Sequence, residues 1–155
     1  MTPAINAAKK AKIQYSVHEY AHDPTADSYG LEAADKMGVD TTRVFKTLVT
    51  SAGGKDLVVA ILPVSHQLDL KLLAKGVGVK KMTMADIKVV ERTTGYVVGG
   101  VSPLGQKKRL RTVIDTSARE FETMFVSAGR RGLEIELSPD DLASLTKASF
   151  ASIAK

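Results

Sequence analysis

The sequence predicts a mixed α+β fold, with short helices packed around one sheet, and three observations carry that prediction. Six or more short strand-like runs are interleaved with short helical ones. Adjacent runs join as hairpins do, most clearly around Gly53-Gly54. Strand and helix patterns do not alternate regularly, which argues against a doubly wound parallel sheet. At 155 residues the chain is long enough to bury a real core, and no internal repeat, low-complexity segment or linker divides it. Residues 1–155 are therefore expected to form one compact domain.

Thr2-Pro3 reads as an N-cap followed by proline at the first helical position, and Ile5, Ala8, Ala11 and Lys12 carry the helical period to about residue 12. Tyr15 to Tyr20 alternates as a strand does. A polar loop with His22-Asp23-Pro24 precedes a second helix from about Leu31 to Met37, stopped by Gly38. Arg43 to Ser51 and Asp56 to Pro63 are the strands of the hairpin. Leu70, Leu72 and Leu73 begin a third helix, broken at Gly76 and Gly78. Thr83-Met84-Ala85-Asp86 fits a capping box leading a helix to about Arg92. Tyr96 to Val101 and Thr112 to Asp115 read as short strands, and Ser117 to Glu120 as a capped helical turn. Thr123 to Ser127 and Leu133 to Leu137 are strands flanking Gly129-Arg130-Arg131-Gly132. Ser138-Pro139-Asp140-Asp141 caps a final helix, with acids where the helix dipole favours them.

With 44% apolar and 25% charged residues the composition is that of a globular protein. No stretch approaches the roughly 18 apolar residues of a membrane span, and the amino terminus lacks a basic segment leading an apolar one. A cytoplasmic location without membrane attachment is expected. Cysteine is absent, which excludes disulfides, a cysteine nucleophile and thiolate zinc sites. His18, His22 and His66 lack the spacing that puts two imidazoles on one helical face, so no metal is expected.

The chain carries 22 basic and 17 acidic residues, a net charge of +5. Lys107, Lys108, Arg109 and Arg111 form one basic group, Lys71, Lys75, Lys80 and Lys81 another, while Glu134, Glu136, Asp140 and Asp141 make the last quarter locally acidic. One-sided basic surface suits a polyanion, since each neutralised phosphate releases counterions. Ordinary solvated lysines are the competing reading.

Two features are candidates for chemistry. Within Gly95-Tyr96-Val97-Val98-Gly99-Gly100-Val101-Ser102-Pro103-Leu104-Gly105, the adjacent Gly99 and Gly100 either end a strand in a bulge or turn, or admit a group to the backbone and aim N–H groups at an oxyanion. Lys46 shares a strand face with Val44 and Leu48, so it is either a desolvated cation in a cavity wall or a stem that snorkels to water.

Three segments in order, Arg43-Val44-Phe45-Lys46-Thr47-Leu48, the Gly95 to Gly105 run and Val126-Ser127-Ala128-Gly129-Arg130-Arg131-Gly132, resemble the YbaK family of aminoacyl-tRNA deacylases. The resemblance covers essentially the whole chain. It implies a mixed sheet, partly closed like a barrel and flanked by helices, and a hydrolase that edits mischarged transfer RNA in trans, particularly Cys-tRNA(Pro), alongside prolyl-tRNA synthetase. It assigns Lys46 to substrate positioning and charge stabilisation, and Gly99 and Gly100 to close approach of the ester. Tyr20, Ser102 and Ser127 correspond to substrate-binding positions. Lys107, Lys108 and Arg109 are the expected tRNA contacts. The family is thought to use the substrate's own thiol as nucleophile, so neither cofactor nor metal is implied, and orientation supplies much of the rate. The alternative is a non-catalytic module that binds tRNA or a synthetase.

Overall fold

The computed structural model describes residues 1–26, 28–54 and 56–155. Its helices start where short polar side chains take up free backbone N–H groups. Thr2 Oγ1 accepts from Ile5 at the start of α1 (Pro3–Ala11), and Ser28 accepts from Leu31 at the start of α2 (Tyr29–Met37). Asp69 accepts from Lys71 and Leu72 before α3 (Leu70–Val77), Asp86 from Lys88 before α4 (Ile87–Thr94), and Ser138 from Asp141 before α5 (Pro139–Thr146). Each such cap contributes about 1 kcal/mol. Gly38, Gly78 and Gly95 end three of these helices in the left-handed conformation. Asp86, rather than Thr83, caps α4. Thr83–Met84 forms strand β4 against Thr50 and Ser51, so its backbone is extended where a capping box would need a turn.

The strands form two sheets rather than the expected one. In the first, β1 (Tyr15–Glu19) and β6 (Met124–Arg130) flank β7 (Leu133–Leu137), all antiparallel. In the second, the order is β4, β2 (Phe45–Ser51), β3 (Leu57–Pro63), β5 (Arg111–Asp115), β8 (Ser149–Ala151). Strands β2 and β3 form the expected hairpin, whereas β3–β5 and β5–β8 are parallel. The sheets meet at an isolated Val44–Phe125 bridge, where Phe125 N–H donates to the Arg43 carbonyl at 3.0 Å. The expected partial closure is therefore an open seam, not a closed barrel.

Strand β3 is buried along its whole length because both faces of its sheet are covered. Val59 and Ile61 face the main core, which gathers Ala4, Ile5 and Ala8 of α1 with Val126, Ile135 and Leu142. Val58, Ala60 and Leu62 face Leu73, Ala74 and Val77 of α3. Ala33 and Ala34 of α2 pack on Val44, Val64 and Phe125 over the seam.

The segment Tyr96 to Val101, expected as a strand, is a loop. Tyr96 is buried and its hydroxyl donates to the Leu104 carbonyl at 2.6 Å, but Val97 is 72% exposed and the chain turns back at Gly99. Its alternation of apolar residues reflects one anchoring tyrosine rather than a ladder partner. The turn Ser117 to Glu120 belongs to a 3₁₀ segment, Thr116–Glu120, capped by Asp115.

Candidate active site

Where the two sheets part beside the seam, they leave a cavity of about 420 Å³. Its floor is β2 with the residue before it: Val44 to Val49 all line it, Lys46 among them. Ser127 and Glu134 come from the smaller sheet and Tyr20 from the residue just after β1, while Met84, Ile87 and Val90 close the side nearest α4. Most of this wall is apolar, which raises the electrostatic effect of the few polar groups in it.

Lys46 is half-buried, and burial holds its ammonium below the usual lysine range. Among the described residues no carboxylate forms an ion pair with it. Of the two readings left open by the sequence, the cavity-wall lysine is the one observed. Opposite it lies a residue that sequence reasoning passed over. Glu134 pairs with Ser127 across β6 and β7, is 6% exposed, and has its carboxyl pushed up to about 8 by burial. At neutral pH it is mostly a neutral acid, so the charge of Lys46 is not cancelled from across the cavity. Burial, followed by the nearby Glu134, also raises the Tyr20 phenol, which stays protonated. Ser127 Oγ accepts from Gly129 N–H at 3.2 Å, and His18, the ring nearest in register, is instead bonded to Glu136 at 2.9 Å. Ser127 thus lacks the base that a nucleophilic serine requires.

The paired glycines have different reasons for being glycine. Gly99 has φ +99° at the third position of a turn closed by Gly100 N–H donating to the Val97 carbonyl at 2.9 Å. A Cβ on Gly99 would also lie 2.8 Å from Arg131 Nε and 2.9 Å from Tyr29 Cε2. A Cβ on Gly100 would lie 2.8 Å from Arg130 Cα, so that glycine lets the turn press on the backbone of β6. Gly99 lines the cavity and Gly100 does not. Because Val98 N–H donates to Glu91 and Gly100 N–H closes the turn, the expected pair of backbone oxyanion donors reduces to Gly99 N–H, which has no acceptor among the described residues.

Ser102 is not brought to the cavity either. It is fully buried, its Oγ accepting from Leu104 N–H at 3.2 Å, where it braces the loop. The hydroxyl-bearing residues along the cavity are Tyr20, Ser28, Tyr29, Thr47 and Ser127, and Thr47 Oγ1 is buried without a partner among the described residues. Lys107 and Lys108 are exposed and lie off the cavity lining, their N–H groups donating to the Thr94 and Thr93 carbonyls at the end of α4. Arg109 borders a separate cleft of about 350 Å³ shared with Lys10 and Gln106. Among the described residues no cluster of histidine, aspartate and glutamate suits a metal, and no helix is long and apolar enough to cross a membrane.

Residues 23–145 match the model of the aminoacyl-tRNA editing domain. The chain is 41% identical over 153 residues to a candidate Cys-tRNA(Pro)/Cys-tRNA(Cys) deacylase, EbsC, of Enterococcus faecalis, covering 98% of this chain and 92% of the relative. It is 34% identical over 97 residues to a proline–tRNA ligase of Citrifermentans bemidjiense, covering 63% of this chain and 17% of the ligase. A solved structure described as a candidate trans-editing enzyme for prolyl-tRNA synthetase superposes with a TM-score of 0.86 at 23% identity, over 99% of this chain and 95% of that one.

Proposed function

The chain belongs to the aminoacyl-tRNA editing domain family, and from that premise we propose that it is a trans-editing deacylase that cleaves the ester of mischarged tRNA, with Cys-tRNA(Pro) its principal substrate. The observation that carries this reading is Lys46, a half-buried cation with no carboxylate partner among the described residues, in a cavity with largely apolar walls beside the Gly99 turn. A second site of this kind is needed because a synthetase gains only about 1–3 kcal/mol from one methylene when it rejects a smaller amino acid. Residues 1–155 act as one editing unit in the cytoplasm, and prolyl-tRNA synthetase supplies the mischarged product.

In this reading Lys46 attracts the carbonyl oxygen as it gains charge, and Gly99 N–H donates to the same oxygen. The substrate thiol provides the nucleophile. Its sulfur bonds to the ester carbon, the bond from that carbon to the ribose oxygen breaks, and the thiol proton passes to that oxygen, which leaves as the ribose hydroxyl. Water then opens the four-membered thiolactone to free cysteine. Ser127 and Tyr20 hydroxyls orient the amino acid, and neither has to act as a strong base.

The test is hydrolysis of cysteinyl-tRNA(Pro) beside the same tRNA carrying serine or alanine. Cysteine is expected to be released at least about tenfold faster at equal RNA binding, since an intramolecular nucleophile is already in place. Equal rates for all three would end the thiol-assisted reading, and RNA retention with an intact ester would leave a binding module.

Lys107 and Lys108 are proposed to meet the phosphate backbone outside the cavity. Neutralising both with glutamine is expected to weaken tRNA binding and flatten the dependence of log K on log salt by about 1 to 2. An unchanged slope would assign both to ordinary surface.

A further inference from the structure

Arg131 lies on the cavity wall and no assigned role uses it. Its guanidinium carbon stands 3.5 Å from the centroid of the Tyr29 ring, and its Nη1 donates to His22 Nε2 at 3.0 Å. Because arginine is only a donor, His22 Nε2 is the acceptor, and its Nδ1–H donates to Glu32 Oε1 at 2.7 Å. The second Glu32 oxygen accepts Asp23 N–H at 2.7 Å. Burial alone would raise the Glu32 carboxyl, but these two hydrogen bonds hold it below its ordinary range. The missing Cβ of Gly99 is what makes room for Arg131 and Tyr29 to lie against the turn.

The arginine is therefore immobilised on three sides. Among the described residues no carboxylate forms an ion pair with it, whereas its neighbour Arg130 is paired with Glu19 at 3.2 Å. Arginine side chains lose about 2 kcal/mol of rotamer entropy when fixed, and the stack on Tyr29 imposes that loss before any ligand arrives. A preorganised, unneutralised fork of N–H donors suits a planar or tetrahedral oxyanion. The aminoacyl group cannot supply one, because its carboxyl is esterified and its amine is cationic. The nearest anion of the substrate is the phosphate one ribose away.

Resting on the editing reading above, we propose that Arg131 is a phosphate clamp, binding the 5′-phosphate of the terminal nucleotide and thereby setting the ester over Lys46. Tyr29 and His22 are positioning residues that hold the guanidinium in place.

Binding tests this without any turnover. Adenosine 5′-monophosphate and adenosine are titrated into wild-type protein, R131Q and R131K, with amide shifts followed by NMR. Wild type is expected to prefer the monophosphate about tenfold, R131Q to bind both equally with adenosine affinity unchanged, and R131K to keep part of the preference. No preference in wild type, or a full preference surviving in R131Q, overturns the clamp. Hydrolysis of cysteinyl-tRNA by the same wild-type preparation separates the two readings. Hydrolysis without phosphate preference refutes the clamp alone, while phosphate preference without hydrolysis refutes editing and leaves Arg131 as a nucleotide-phosphate site.

Discussion

Lys46→Ala is expected to lower kcat/KM for mischarged tRNA about 10²- to 10³-fold while leaving the fold intact. Removing one well-placed electrostatic donor at a developing oxyanion costs that much where water is excluded, and the walls around Lys46 are chiefly apolar. Little stability should be lost, because no carboxylate among the described residues depends on the ammonium. Lys46→Met separates charge from packing, since it keeps a long stem over Val44 and Leu48; it should be as inactive as alanine. Burial also lowers the Lys46 ammonium from the ordinary lysine range, so wild-type activity should begin to fall on the alkaline side earlier than an exposed lysine would dictate. Single-turnover deacylation with matched circular dichroism decides the matter. Residual activity within threefold of wild type in a folded Lys46→Ala would remove the lysine from the reaction.

What the sequence made legible follows rules that act over a few residues. Thr2 and Ser138 as caps, Gly38 as a helix end and the hairpin around Gly53-Gly54 are present as read, and Gly78 ends α3, although Gly76, also read as a break, lies within that helix. The Lys46 position was legible for the same reason, since strand alternation alone puts it with Val44 and Leu48. Long-range geometry was not. Tyr96 to Val101 has the composition of a strand but pairs with none, and Gly100 is glycine because Arg130, 30 residues on, passes 2.8 Å from where its Cβ would be. Ser102 resembled a pocket hydroxyl, yet it turns inward to hold Leu104. Arg131 and Tyr29 meet only because the chain brings α2 beside the β6–β7 turn, and nothing in their spacing signals it.

Glu134 shows the same limit most sharply and gives the second large effect. In Leu133-Glu134-Ile135-Glu136-Leu137 the acids alternate with core residues, the usual signature of a solvent-facing strand surface. Glu136 conforms, bonded to His18 and Thr123. Glu134 faces the cavity instead and is 6% exposed, with its carboxyl raised from 4.5 to about 8. Between those two values the folded protein retains a proton that the unfolded chain has lost, so stability must fall as pH rises. The contribution is fully present below about 4.5 and gone above about 8, and it changes by about 1.4 kcal/mol per pH unit within the window. Glu134→Gln keeps the size and polarity of the side chain but cannot ionise. The variant should therefore match wild type near pH 5 and exceed it by several kcal/mol at pH 8. Urea unfolding of both proteins at pH 5, 6, 7 and 8 measures the divergence, and parallel curves would show that Glu134 ionises normally in the fold. The same substitution bears on editing, because a carboxylate formed at alkaline pH places a negative charge in the cavity that Lys46 also lines and repels the developing oxyanion. Glu134→Gln should accordingly sustain deacylation to higher pH than wild type, because the buried carboxylate that costs stability is the same one that would oppose the oxyanion.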